Sequence, residues 1–206
     1  PLGLKPKDLI GIPWRVAFAL QADGWWLRSD IIWAKPNPMP ESISDRPTKA
    51  HEYVFLLTKS ARYYYDSEAV KEPAIHAGRV VAYDGSQKNC AAGDDVNDMR
   101  TRIDRTVTVG ASRNRRSVWW IATQPYPEAH FATFPEALVQ PCILAGCPEG
   151  GTVLDPFAGS GTTCAVAKSL GRASIGIELK VAYCKLAHQR IARGTRDERL
   201  AAKKAA

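Results

Sequence analysis

The chain has 206 residues, 45% of them hydrophobic, with 28 Lys and Arg against 21 Asp and Glu for a net charge of +7. That length suffices for one domain with a substantial core, since a chain of this size buries roughly 70% of its unfolded surface, and no apolar run approaches the roughly 18 residues of a membrane span. The five Cys are odd in number and lack CxxC spacing, which argues against a metal site or a disulfide framework and for a reducing cytoplasm, while the positive balance favours an anionic partner such as nucleic acid.

In chain order, Ile12 to Asp23 reads as a helix, with Pro13 in its first turn, Gly24 just past its end and apolar residues on nearly every side, so it is expected to be largely buried. "DIIWAK" (30–35) and "YVFLLTK" (53–59) read as strands covered on both faces. Between them "KPNPMPES" carries three alternating prolines and must be a stiff loop. "RYYYD" (62–66) is expected to add a hairpin strand. From Glu72 the hydrophobic period disappears until about Ser117, which marks an insertion. Order returns with a strand in "SVWWIAT" (117–123) and a helix in "FPEALVQPCILAG", bent near Pro141. Strand "TVLDPF", a helix from Thr162 to Leu170, strand "ASIGIEL" and a helix from Val181 to Arg193 make one βαβα unit, each helix ended by a glycine. The tail "TRDERLAAKKAA" has no apolar stripe and is expected to fray. The organisation is thus 1–71, an insertion over 72–116, 117–194, and a charged tail over 195–206.

Within the βαβα unit, "LDPFAGSGTT" (154–163) runs strand, glycine turn, helix, the arrangement that cradles a nucleotide-like cofactor. A phosphate-gripping P-loop needs four residues between its glycines and a following Lys, and "GSGTT" has neither. A dinucleotide fingerprint needs a third glycine where Cys164 stands, and the charge of Asp155 at the strand's end would oppose a pyrophosphate. A cofactor carrying an ammonium and a sulfonium, such as S-adenosylmethionine, has the opposite requirement, and a carboxylate near the turn attracts it. Glu178, at the end of the next strand, stands where it can accept hydrogen bonds from ribose hydroxyls. The turn's late position remains to be explained, because chains that wind such a fold in simple order place it near the N-terminus.

These residues resemble the amino-methylating DNA methyltransferases, which methylate adenine N6 or cytosine N4 at specific sites. "HFATFP" (130–135), "DPFAGSGTT" and "GIE" (176–178) look like that family's cofactor half, and "DIIWAKPNPMPES" with "RPTKAHE" (46–52) looks like part of its catalytic half. The resemblance implies an α/β, Rossmann-like fold of the permuted group, in which the catalytic half comes first, a target-recognition segment follows (here 72–116), and the cofactor half is last. It implies that Asp155, Phe157, Gly159, Ser160, Gly161 and Glu178 line the S-adenosylmethionine site, with His130, Phe131 and Phe134 beside its methionyl end. Lys35, Asn37, Pro38, His51 and Glu52 would neighbour the base pocket, although a rigid connector accounts for the first three equally well. Arg113, Arg115 and Arg116 would contact DNA phosphates.

The family's catalytic tetrapeptide, Asp/Ser/Asn-Pro-Pro-aromatic, holds the amine of a flipped base, and this sequence contains no Pro-Pro pair. No catalytic residue is therefore assigned. In the permuted group the tetrapeptide precedes the helix that starts here near Ile12, so the chain, which opens on Pro and shows no signal peptide, is expected to be the C-terminal portion of a longer enzyme, inactive alone. Its sheet would lack the family's central fourth strand and its third strand, at one edge. The expected partners are double-stranded DNA and a restriction endonuclease; no membrane is involved. The rival readings are a non-catalytic remnant that keeps DNA or cofactor affinity and, from another class, a nicotinamide oxidoreductase.

Overall fold

The computed structural model describes residues 3–83, 105–125 and 133–205. They fall into two compact units, one of residues 1–69 with 116–206 and one of residues 70–115. Along the chain, α1 (Ile12–Ala22), β1 (Trp26–Ala34) and β2 (His51–Thr58) precede four short strands, β3 (Glu72–Pro73), β4 (Val80–Tyr83), β5 (Arg105–Thr108) and β6 (Ser112–Arg113). Then come β7 (Val118–Trp120), α2 (Glu136–Gly146), β8 (Thr152–Asp155), α3 (Thr162–Ser169), β9 (Ala173–Gly176), α4 (Val181–Arg193) and α5 (Arg196–Ala205). No helix among the described residues is long and apolar enough to cross a membrane.

In the larger unit the strands form two sheets. β1 lies between β2, antiparallel to it, and β7, parallel to it, while β8 pairs in parallel with β9. β1 and β7 are rich in β-branched and aromatic residues, which suit a half-buried pleated surface, and their Trp33 and Trp119 are buried with Leu138 of α2. Each indole has a carbonyl partner, Ile121 at 2.7 Å and Arg116 at 2.8 Å, so neither N–H is buried without an acceptor. One helical position further on, Val139 and then Ile143 meet Val166 and Ala167 of α3. Helix α2 therefore supplies apolar contacts to both sheets, and it continues through the buried Pro141 as a single helix.

Three expectations need correction. Of α1 only Ala17 is buried, and Ile12, Val16 and Phe18 are 55%, 52% and 54% exposed. The helix rests on one surface alone, with the Trp14 ring edge-on to Phe55 and Tyr53 at 4.9 and 5.5 Å. "RYYYD" forms no strand; Tyr63 accepts a hydrogen bond from Arg28, and Asp66 N–H donates to Ala145 O at the last turn of α2. The tail is helical as α5. Thr195 and Glu198 form a reciprocal cap, in which the Glu198 carboxylate accepts from Thr195 N–H at 2.6 Å and Thr195 Oγ1 accepts from Glu198 N–H at 3.4 Å.

The smaller unit is built from two antiparallel pairs, β3 with β6 and β4 with β5. Arg113 on β6 forms an ion pair with Glu72 on β3 at 2.8 Å.

Candidate functional site

The glycine turn joins β8 to α3 at the carboxyl end of the parallel pair, where ligand sites of open α/β sheets lie. Asp155 ends β8, and its side chain accepts from Phe157 N–H at 3.0 Å, which closes the turn on itself. The main chain then continues the pairing past both strands, with Ile177 N–H on Asp155 O and Ala158 N–H on Ile177 O, each at 2.9 Å. Glu178 is thereby carried next to the turn. Its carboxylate accepts from Gly159 N–H at 3.0 Å through one oxygen and from Lys180 N–H at 2.8 Å through the other.

Two glycines in the turn do different work. Gly161 has a left-handed φ of +76°, and a Cβ there would lie 2.8 Å from the Ala187 Cβ of α4. Its absence of a side chain lets α4 pack directly on the turn. Gly159, with φ +51°, has no neighbour nearer than 3.9 Å to an added Cβ, so its outer side is open to an approaching group. Phe157 is 88% exposed and Leu179, beside Glu178, is 96% exposed.

Ser160 is buried, and its hydroxyl accepts from Arg190 Nη1 at 3.1 Å. The same nitrogen donates to Thr162 Oγ1 at 2.7 Å, and Nη2 donates to Glu136 Oε1 at 3.1 Å. Ser160 thus presents its side chain to α4, and main-chain groups are what it offers at the turn. Neither Arg190 nor Glu136 was among the expected site residues. Glu136 reads locally as an ordinary acidic residue in a helix's first turn, and Arg190 as one more cation at a helix end. Only their meeting, across 54 positions, marks them.

The second group of candidates gathers elsewhere in the same unit. Lys35, Pro38, His51 and Glu52 line one cleft of about 420 Å³ together with Met39 and Tyr53. Lys35 pairs with Glu52, and its ammonium stands over the Trp33 ring, 4.5 Å from the centroid. His51 meets Tyr53 edge-on at 5.3 Å. Asn37 does not join them: its side chain accepts from Thr123 N–H at 2.9 Å and donates to Thr123 O at 3.3 Å. These bonds fasten the proline loop to the segment after β7, and Thr123 itself borders the same cleft.

Phe134, in the segment leading into α2, lines the cleft of about 520 Å³ that Glu136 and Arg190 also border. His130 and Phe131 lie outside the described residues. Arg113 pairs with Glu72; Arg115 is half-buried and Arg116 exposed. Among the described residues no group of three or more His, Cys, Asp or Glu could hold a metal ion.

Comparison with known proteins places this geometry. A family model described as DNA methylase matches residues 5–189. The chain is 51% identical over 193 residues to the type II methyltransferase M.SmaI of Serratia marcescens, covering 94% of this chain and 56% of that protein. It is 50% identical over 191 residues to the type II methyltransferase M.Cfr9I of Citrobacter freundii, covering 93% and 53%. The chain thus spans about half the length of the curated relatives it matches. Among solved structures, the PvuII cytosine-N4-specific DNA methyltransferase aligns with a TM-score of 0.63 at 19% identity, covering 90% of this chain and 59% of that one. The M1.HpyAVI–SAM complex aligns with a TM-score of 0.54 at 22% identity, covering 89% and 71%. At those identities the likeness concerns the α/β fold.

Proposed function

The chain belongs to the DNA methylase family, and from that premise we propose that it binds S-adenosylmethionine at the β8–α3 turn and serves methyl transfer to an exocyclic amine of duplex DNA at a specific sequence. The observation that carries this reading is Glu178, held by Gly159 N–H at 3.0 Å beside a turn that begins with a carboxylate, Asp155. Both carboxylates suit a cationic cofactor with ribose hydroxyls, and the exposed Phe157 and Leu179 offer apolar cover for a purine. The cofactor would supply an electrophilic methyl on its sulfonium, open to direct displacement by nitrogen. This chain's residues orient it: Glu178 by accepting from hydroxyls, the turn by its main chain, and Asp155 by charge. His130, Phe131 and Phe134 are proposed beside the methionyl end.

Lys35, Asn37, Pro38, His51 and Glu52 are proposed as neighbours of the base, and Arg113, Arg115 and Arg116 as phosphate contacts. "KPNPMPES" with "RPTKAHE" favours cytosine N4 over adenine N6. The type II designation of the relatives supports a restriction endonuclease as functional partner.

We further propose the permuted arrangement, with strands from outside these residues completing the sheet. Among the described residues β8 pairs with β9 alone, and Leu154 and Ile175 on that pair are 59% and 56% exposed. An apolar cleft of about 680 Å³ lined by Val54, Leu138, Val139, Ile143 and Val153 is the space such a strand would fill. The absence of a Pro-Pro tetrapeptide also supports a binding-only reading of this chain.

Titration with S-adenosylmethionine and with NAD tests the cofactor, and tritiated methyl transfer to duplex DNA by the chain completed with the missing strands, followed by nucleoside analysis, tests the base. Binding of S-adenosylmethionine, lost at least tenfold in Asp155→Ala, is expected. Tighter binding of NAD, or unchanged affinity in Asp155→Ala, would remove the assignment. Binding without turnover is expected of these 206 residues alone, and full turnover would overturn the incomplete-sheet reading.

A further inference from the structure

The side chain of Arg190 is only 7% exposed, and its two terminal nitrogens reach oxygens on three separate elements. Burying such a charge is costly unless it is paired and hydrogen-bonded, and here the pairing is specific. Ser160 and Thr162 stand on either side of Gly161, the left-handed residue of the turn. Glu136 opens α2 directly after Phe134 and Pro135. Its second oxygen is used as well, accepting from Arg196 N–H at 2.9 Å where α5 begins. Ala187, which touches Gly161, lies three residues before Arg190 and hence on the same face of α4. The turn is clasped by α4 at two successive points, one steric and one polar.

We propose that Arg190 is a positioning residue that locks the glycine turn to the N-terminus of α2, and so preforms the cofactor site from two stretches that are far apart in sequence. The proposal rests on S-adenosylmethionine being the ligand of the turn. A planar fork is needed for it: one nitrogen spans the two hydroxyls while the other holds the carboxylate, and the point-like ammonium of Lys cannot occupy both places. Arg190 touches no reacting atom. It acts through the orientation of the main-chain groups at 159–161 and of the residues that lead into Glu136.

The test is S-adenosylmethionine affinity, by calorimetry at a temperature well below the melting point of each variant. Arg190→Lys keeps the charge and is expected to weaken binding at least tenfold. Arg190→Gly with millimolar methylguanidinium added back is expected to regain affinity, which a general loss of packing would not allow. A lowered melting temperature with unchanged affinity in Arg190→Lys would show a purely structural ion pair and overturn the proposal. Should that variant not fold, Glu136→Gln keeps size and an oxygen acceptor while removing the charge; a several-fold weaker Kd supports the clasp, and an unchanged one overturns it. If the unsubstituted chain itself fails to bind S-adenosylmethionine, the cofactor reading falls and the clasp with it, whereas normal binding by the chain and by its variants alike overturns the clasp alone.

Discussion

Around the β8–α3 turn, almost every candidate is held by main chain. Asp155 caps its own turn, Glu178 is fastened by two amides, and Gly161 is pressed on Ala187. Around Lys35 the candidates are held by side chains: an ion pair whose Glu52 member is 52% exposed, a ring beneath an ammonium, and the Asn37 amide on Thr123. The first arrangement tolerates almost no change in backbone but leaves open sides for a ligand. The second can be altered one side chain at a time at small cost, which suits a surface whose partner is large and supplies further contacts of its own.

The contrast is broken most forcefully at Gly161. Alanine there adds a methyl 2.8 Å from the Ala187 Cβ and 3.0 Å from its Cα, in a left-handed conformation. The conformational cost of about 1 to 2 kcal/mol and an overpacking cost of similar size or larger together predict a loss of about 3 kcal/mol in urea unfolding. Gly159→Ala shares the backbone cost but has no atom within 3.9 Å of the new methyl, so about 1 kcal/mol is expected, with a larger effect on cofactor affinity than on stability. Equal stability losses at the two positions would mean that α4 does not press on the turn.

On the side-chain-held half the same logic predicts less. Asn37→Ala removes two hydrogen bonds to Thr123 and leaves a third, from Thr123 Oγ1 to the Asn37 carbonyl. About 1 kcal/mol is expected at this exposed position, together with faster hydrogen exchange at the Thr123 amide. A loss as large as that at Gly161 would show that the proline loop, too, is a rigid part of the framework.

How far each half could be read from sequence follows from the same difference. Features written in consecutive residues were legible: the run of α4 from Val181 to Arg193 before Gly194, the Pro13 start of α1, and the strand–glycine–helix order at 152–169. Features that depend on what lies opposite were not. The apolar residues of α1 suggested burial, yet type alone does not provide a neighbour, and Val16 and Phe18 remain half exposed. "RYYYD" had strand composition but no strand to pair with. Ser160 was placed correctly at the turn, while the direction of its hydroxyl was decided by Arg190, thirty residues away. The cap of α5 is a different kind of miss. "TRDE" at 195–198 is a Thr-x-x-Glu signature in plain sequence, while the segment after it has no apolar stripe to suggest a docked helix.

That cap also supplies the smallest effect and the one with a sign. The Glu198 carboxyl is held below the ordinary glutamate pKa of about 4.3, first by the Thr195 main-chain N–H, then by the Thr195 hydroxyl, and less by the charge of Lys168, with burial acting the other way. A carboxyl whose pKa is lower folded than unfolded binds fewer protons in the folded state. Its contribution is therefore complete above the ordinary value and is lost as pH falls through the lowered one. Helix α5 should accordingly hold its carbon chemical shifts from neutral pH down to the ordinary glutamate range and lose helicity below it. Thr195→Ala removes the hydroxyl, though not the main-chain N–H, so the transition should move toward higher pH and become shallower. A pH transition of α5 identical in the variant would show that the Thr195 hydroxyl does not take part in the cap, and would leave the main-chain N–H as its whole basis.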